Sequence, residues 1–123
     1  MKMQSLADLI KWIAKDRSAS AEWLRQNCTE VERYTFDGCS RKDHKAWSVK
    51  PEVHGCADDI EVAIVILGDS IRAYVSDGIV DIASIKIRCQ TKWRDAMCEA
   101  IFWVKGFIAG AKNCHLTEEC ENL

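Results

Sequence analysis

The stretch IEVAIVILGDSIRAYVSDGIVDIASIKIR, residues 60–88, decides the fold. Residues 60–67 form a nearly continuous apolar run of strand length, as expected of a strand covered on both faces. Gly68-Asp69 turns the chain. Ile71, Ala73 and Val75 then alternate with Arg72 and Tyr74, the period of a second strand. Asp77-Gly78 is a strong hairpin signal, because a tight primed turn needs a positive φ that glycine supplies without strain. A third strand follows over 79–88, with Ile85 and Ile87 set against Lys86 and Arg88. Broken alternation at Asp81–Ser84 marks a bulge. Strands joined by such short turns must be antiparallel.

Downstream, Thr91 is placed to cap a helix over 92–112. Its apolar stripe runs through Trp93, Met97, Ala100, Ile101, Val104, Phe107, Ile108 and Ala111, and Phe102 and Trp103 widen it. A helix this apolar is expected to be covered on more than one side. Asn113 is expected to end it, with a short acidic tail beyond. Upstream, residues 30–36 read as a strand. Residues 37–59 read as a long charged loop interrupted by a short strand at Ala46–Val49. Loops of that length inside compact domains are often functional. Two helices open the chain. One spans about 5–16, capped by Ser5 and followed by Asp8, with Leu6, Leu9, Ile10 and Ile13 on one face. The other spans about 19–27, capped by Ser18 or Ser20, with Trp23 and Leu24 facing in. The expected architecture is α+β over residues 1–123 as one domain. Two N-terminal helices precede an antiparallel meander of three to five strands, and a long C-terminal helix packs on the sheet.

Composition narrows the function. The 123 residues carry a formal net charge of −2, with 48% hydrophobic and 29% charged residues. That excludes a strongly basic nucleic-acid binder. No apolar run approaches a membrane span, and Asp8 and Lys11 interrupt the N-terminal apolar residues as no signal peptide would. Seven cysteines, an odd number, read as reduced thiols in a cytoplasmic protein rather than a disulfide framework.

Four constellations could carry chemistry. Cys39, His44, His54 and Cys56 are zinc-ligand types within eighteen residues, but their Cys-x4-His-x9-His-x-Cys spacing lacks a tight ligand pair. Arg41, Lys42, His44, Lys45 and Lys50 surround Trp47, a mixture of cations and an indole that suits nucleic acid. Lys86, Arg88, Lys92 and Arg94 add cations, whereas Asp43, Glu52, Asp58 and Asp59 dilute the field. No catalytic motif is present, and Asp58-Asp59-x-Glu61 lacks a second acidic cluster or lysine to complete a nuclease site, so no enzyme and no cofactor are expected. Five tryptophans (12, 23, 47, 93 and 103) are a high count for 123 residues; one or more are expected to be partly exposed rather than all core, and exposed Trp beside Arg is typical of interface hot spots.

The leading expectation is therefore a small binding module, regulatory or inhibitory, acting through protein–protein contact. Motif-free α+β chains of this size are common among the accessory proteins of phages and mobile elements. Arg41, Lys42, Lys45 and Trp47 are its expected anchors, with the cations steering an acidic partner. Nucleic-acid binding by the same basic and aromatic segment, residues 41–50, is the alternative, and a zinc module comes third. Gly106-x-x-x-Gly110 adds the expectation of a homodimer through the C-terminal helix, or else of close seating on the chain's own sheet.

Overall fold

A computed structural model describes residues 6–89 and 92–121, with residues 112–121 described as backbone alone. Helices α1 (Leu6–Lys15) and α2 (Ala19–Asn27) lead into strands β1 (Cys28–Asp37) and β2 (Ser40–Val49). A single turn of helix, α3 (Pro51–His54), precedes β3 (Glu61–Leu67), β4 (Ser70–Ser76), β5 (Asp81–Arg88) and the long helix α4 (Trp93–Glu121). The five strands form one antiparallel sheet in the order β1-β2-β3-β4-β5. The α+β architecture expected from the sequence is the one observed. The expected caps at Ser5 and Thr91 lie outside the described residues. Ser18 does cap α2, its hydroxyl accepting the Ala21 N–H.

Helix α4 lies across β3, β4 and β5, and α1 and α2 pack beside it. The core fills the space between: Leu9, Leu24, Val62, Ile64, Ile71, Val75, Met97, Ile101 and Val104 are sealed from solvent. Each such aliphatic side chain contributes about 1.5–3 kcal/mol on burial. The bulge is where alternation breaks: Val75 faces Ala83 and Ser76 faces Asp81, leaving Ile82 as the extra residue. The β4–β5 connection is longer than a two-residue turn. Asp77 caps it, its carboxylate accepting both the Ile79 and Val80 N–H groups at 2.9 Å.

Three expectations need correction. The segment from 37 to 59 is a loop only at its end, from residue 55 on: β2 runs the full Ser40–Val49 and α3 follows. Asp and, to a lesser degree, Lys have low strand preference, which hides the strand in the sequence. Pairing with β1 along its whole length overrides that preference. The turn is Gly38-Cys39, and the φ of +64° at Gly38 is the conformation a two-residue hairpin demands. Asn113 does not end the last helix, which continues to Glu121. Nor does Gly106-x-x-x-Gly110 seat α4 on the sheet, for a Cβ built on either glycine meets nothing within 4 Å.

Candidate surface on the first hairpin

The β1–β2 hairpin outruns the rest of the sheet. Cys28 pairs with Val49 at its base and Asp37 with Ser40 at its tip, whereas β3 pairs with β2 over Ala46–Ser48 alone. Two residues show where the free part goes. Arg33 donates from Nε to Glu61 Oε1 at 3.2 Å and forms an ion pair with Oε2 of the same carboxylate through Nη2. In a flat sheet this contact could not form. With Arg33 opposite His44 and Ala46 opposite Val65, Arg33 would stand about 20 Å along and about 10 Å across from Glu61. The hairpin therefore coils over the sheet face opposite the helices.

That coiling explains a second, smaller core. Ala46, Ala63, Val65 and Tyr74 are buried on the outer face, with Val31 and Leu67 packed against them. Tyr74 donates its hydroxyl hydrogen to Glu61. Burial pushes the Tyr74 hydroxyl up to about 12, and the bond to Glu61 adds to this. For Glu61 burial raises the pKa, but the bonds from Arg33 and Tyr74 together outweigh it and hold the carboxyl below 4.5.

Successive side chains of a strand point to opposite faces. Val31 and Arg33 point inward over the sheet, so Glu32, Tyr34 and Phe36 occupy the convex, solvent side. Tyr34 is 57% and Phe36 64% exposed. Their rings meet edge to face at 5.6 Å, and the Arg41 guanidinium stands 4.5 Å from the Tyr34 ring centre. Three side chains of the kinds that dominate interfaces are thus held against one another with no core beneath them.

The expected anchors divide. Trp47 does not lie on the surface: it is 4% exposed, opposite Ile64, and belongs to the main core. The short apolar patch Ala46–Trp47, buried on both faces, reads in the sequence as an interruption of a loop. In the structure it is the rung that joins the hairpin to the sheet. The expected cations are exposed or half-exposed but matched within the chain: Arg41 with Asp43 at 3.0 Å, Lys42 with Asp37 at 3.4 Å, and Lys45 with Glu30. On the hairpin as a whole, Glu30, Glu32, Asp37 and Asp43 balance Arg33, Arg41, Lys42 and Lys45. The formal charges of the hairpin therefore sum to zero.

The zinc set is not assembled. Cys39 sits in the hairpin turn, and His44 Nε2 bonds the Thr35 hydroxyl at 2.8 Å. His54 Nδ1 accepts the Cys56 N–H at 3.0 Å. Among the described residues no three His, Cys, Asp or Glu side chains are grouped to hold a metal ion.

Sequence reading missed Tyr34 and Phe36, although both fall in its first strand. The available signal was Asp37-Gly38, the same dipeptide read as a hairpin at 77–78. A hairpin there sets Tyr34 opposite Asp43 and Phe36 opposite Arg41.

A second exposed apolar surface lies between α4 and the edge strand β5. Ile85, Phe102, Trp103, Gly106 and Phe107 line a groove of about 440 Å³, and Phe102 is 78% exposed. Helix α4 is thus covered by the sheet and the N-terminal helices but open on its third side. No described helix is long and apolar enough to cross a membrane. Comparison with protein-family models, with curated proteins and with solved structures finds no match for this chain.

Proposed function

We propose that the protein is a binding module that regulates or inhibits a protein partner by occupying its surface, with the coiled β1–β2 hairpin as the contact. The observation that carries this reading is the exposed Tyr34–Phe36–Arg41 cluster on the convex side of the hairpin. Tyr and Phe bring large area with few rotamers to freeze, and Arg brings donors in a fixed fork. The matching partner offers an apolar pocket for Phe36 and an acceptor for Arg41. The internally balanced charges of the hairpin speak against nucleic acid, whose binding depends on unneutralised cations. The five described cysteines are free thiols, in keeping with a reducing compartment such as the cytoplasm.

The test is a pull-down from nuclease-treated lysate with wild-type protein and with Tyr34→Ala/Phe36→Ala. A partner retained by the wild type and lost with the double variant, at unchanged melting temperature, supports the reading. A partner held equally by both, or one released by nuclease, removes it.

A second reading, self-association through α4, rests on the open glycines. Phe102 and Gly110 each lie four residues from Gly106 on one exposed stripe. Two copies of α4 crossing antiparallel at Gly106 would set each Phe102 over the other copy's Gly110, matching the largest exposed side chain with the smallest.

A further inference from the structure

The sheet ends at β5, which pairs with β4 alone. One bond shows which backbone groups line its free edge. The Cys89 N–H donates to the Asp69 carbonyl at 2.9 Å, one step beyond the Ser70–Arg88 pair, so residues 69 and 89 form a hydrogen-bonded pair. Such pairs alternate with non-hydrogen-bonded ones along an antiparallel ladder. Ile87, Ile85 and Ala83 therefore direct their backbone groups to Ile71, Ala73 and Val75 of β4. Ser84, Lys86 and Arg88 direct theirs outward, where no strand of the chain lies. An edge of unpaired N–H and C=O groups is a template for another strand.

The two faces beside this edge differ. Ala83, Ile85 and Ile87 share the face of α4, opposite the core residues Val75, Ala73 and Ile71. Ile85 also lines the open groove with Phe102 and Gly106. Ser84, Lys86 and Arg88 lie on the outer face. So does Asp81, which the bulge brings into an ion pair with Arg72.

We propose that β5 pairs antiparallel with β5 of a second copy across a two-fold axis at Ile85, joining the two sheets into one of ten strands, five from each copy. This rests on self-association through α4 and adds the strand contact that forms with it. Ile85 faces its own counterpart. Ala83 and Ile87 face the other copy's Ile87 and Ala83, so the α4 face stays apolar across the junction. Ser84 and the other copy's Lys86 exchange backbone hydrogen bonds, and the axis repeats them. On the outer face each Arg88 stands opposite the other copy's Ile82, one residue from Asp81, so opposite charges meet on both sides of the axis. Arg88 has the freedom for this: its side chain is 76% exposed and only 4.0 Å from its present partner, Asp69. One pairing step in one direction would set Lys86 against Lys86, like charges directly opposed. One step in the other would set Ile87 against Asp81, beyond the bulge. The axis passes beside Gly106, which shares the groove with Ile85, so the two α4 helices meet at the same axis.

The test is sedimentation velocity and amide hydrogen exchange on the full chain. The wild type is expected to dimerise as its concentration rises, and the Ser84 and Lys86 amides to gain protection as the dimer forms. The exchange measurement needs no variant. Lys86→Pro removes an outward N–H that the monomer does not use, a position where an edge strand tolerates proline. The variant is expected to keep the wild-type melting temperature at low concentration and to weaken dimerisation by about tenfold or more. A dimer that Lys86→Pro leaves at wild-type strength, or one whose Ser84 and Lys86 amides stay open, overturns the β5 pairing and leaves the α4 contact standing. A wild type that is monomeric at every concentration overturns both.

Discussion

Arg33 and Glu61 form an ion pair although a whole strand, β2, separates their strands in the sheet. That contact requires the first hairpin to roll over the outer face, packing the half-buried Val31 against the cluster of Ala46 and Val65. It also decides which aromatic side chains face water. The hairpin's inward parity closes a small core, and its outward parity carries Tyr34 and Phe36.

Replacing Trp47 with Ala is expected to cost about 3–5 kcal/mol, the range for truncating a buried large aromatic residue. Replacing Tyr34 or Phe36 with Ala is expected to cost less than about 1 kcal/mol each, since only exposed ring contacts are lost. Urea denaturation of the three variants checks this. Equal losses would place the hairpin aromatics in a packed environment.

Glu61→Gln tests the fastening of the hairpin. The wild-type carboxyl is held below 4.5 by Arg33 and Tyr74 against the opposing effect of burial. Its stabilisation is therefore present above about pH 4.5 and lost as pH falls through the lower folded value. Melting temperature should drop across that window in the wild type and drop less steeply in Glu61→Gln. Parallel pH profiles would mean that the pair does not hold the fold.

Tyr74 gives the complementary alkaline signal. Its folded pKa of about 12 lies above the ordinary value of 10.0, so its neutral form favours the fold. Stability from this group persists below pH 10 and fades as pH rises toward 12. Ultraviolet titration should reveal a tyrosinate step near 12 that disappears in Tyr74→Phe.

Thiol accessibility should separate Cys39 from Cys28. Cys39 is exposed in the hairpin turn, whereas burial pushes the Cys28 thiol up to about 12. A thiolate-selective reagent, with the sites mapped by mass spectrometry, should label Cys39 in the native protein. Cys28 should label only on unfolding. Rapid native labelling of Cys28 would contradict the packing of α2 onto β1.

Self-association predicts a concentration-dependent mass by analytical ultracentrifugation that Phe102→Ser abolishes. A monomer at all concentrations in the wild type rules out the α4 contact.

Where local pattern and tertiary pairing agree, the chain is legible from its residues. The apolar run at 60–67, the alternation after it and the Ser18 cap all became the elements they suggest. β2 was hidden because RKDHK has the composition of a solvated loop, and a strand of that composition forms only on a partner already extended beside it. Trp47 was misplaced for the same reason, since side-chain direction follows from strand parity once the strand is known. The coil of the hairpin was beyond any local reading, because Arg33 and Glu61 lie 28 residues apart in the chain.

The central claim is that the hairpin's convex side meets a protein. Its most direct test is photocrosslinking from position 36, with a benzoyl-substituted phenylalanine in place of Phe36 and a control at exposed Ile79. The account predicts a discrete protein adduct from position 36 that is absent from position 79 and is suppressed by Tyr34→Ala. No adduct from position 36, or the same adducts from both positions, would contradict it.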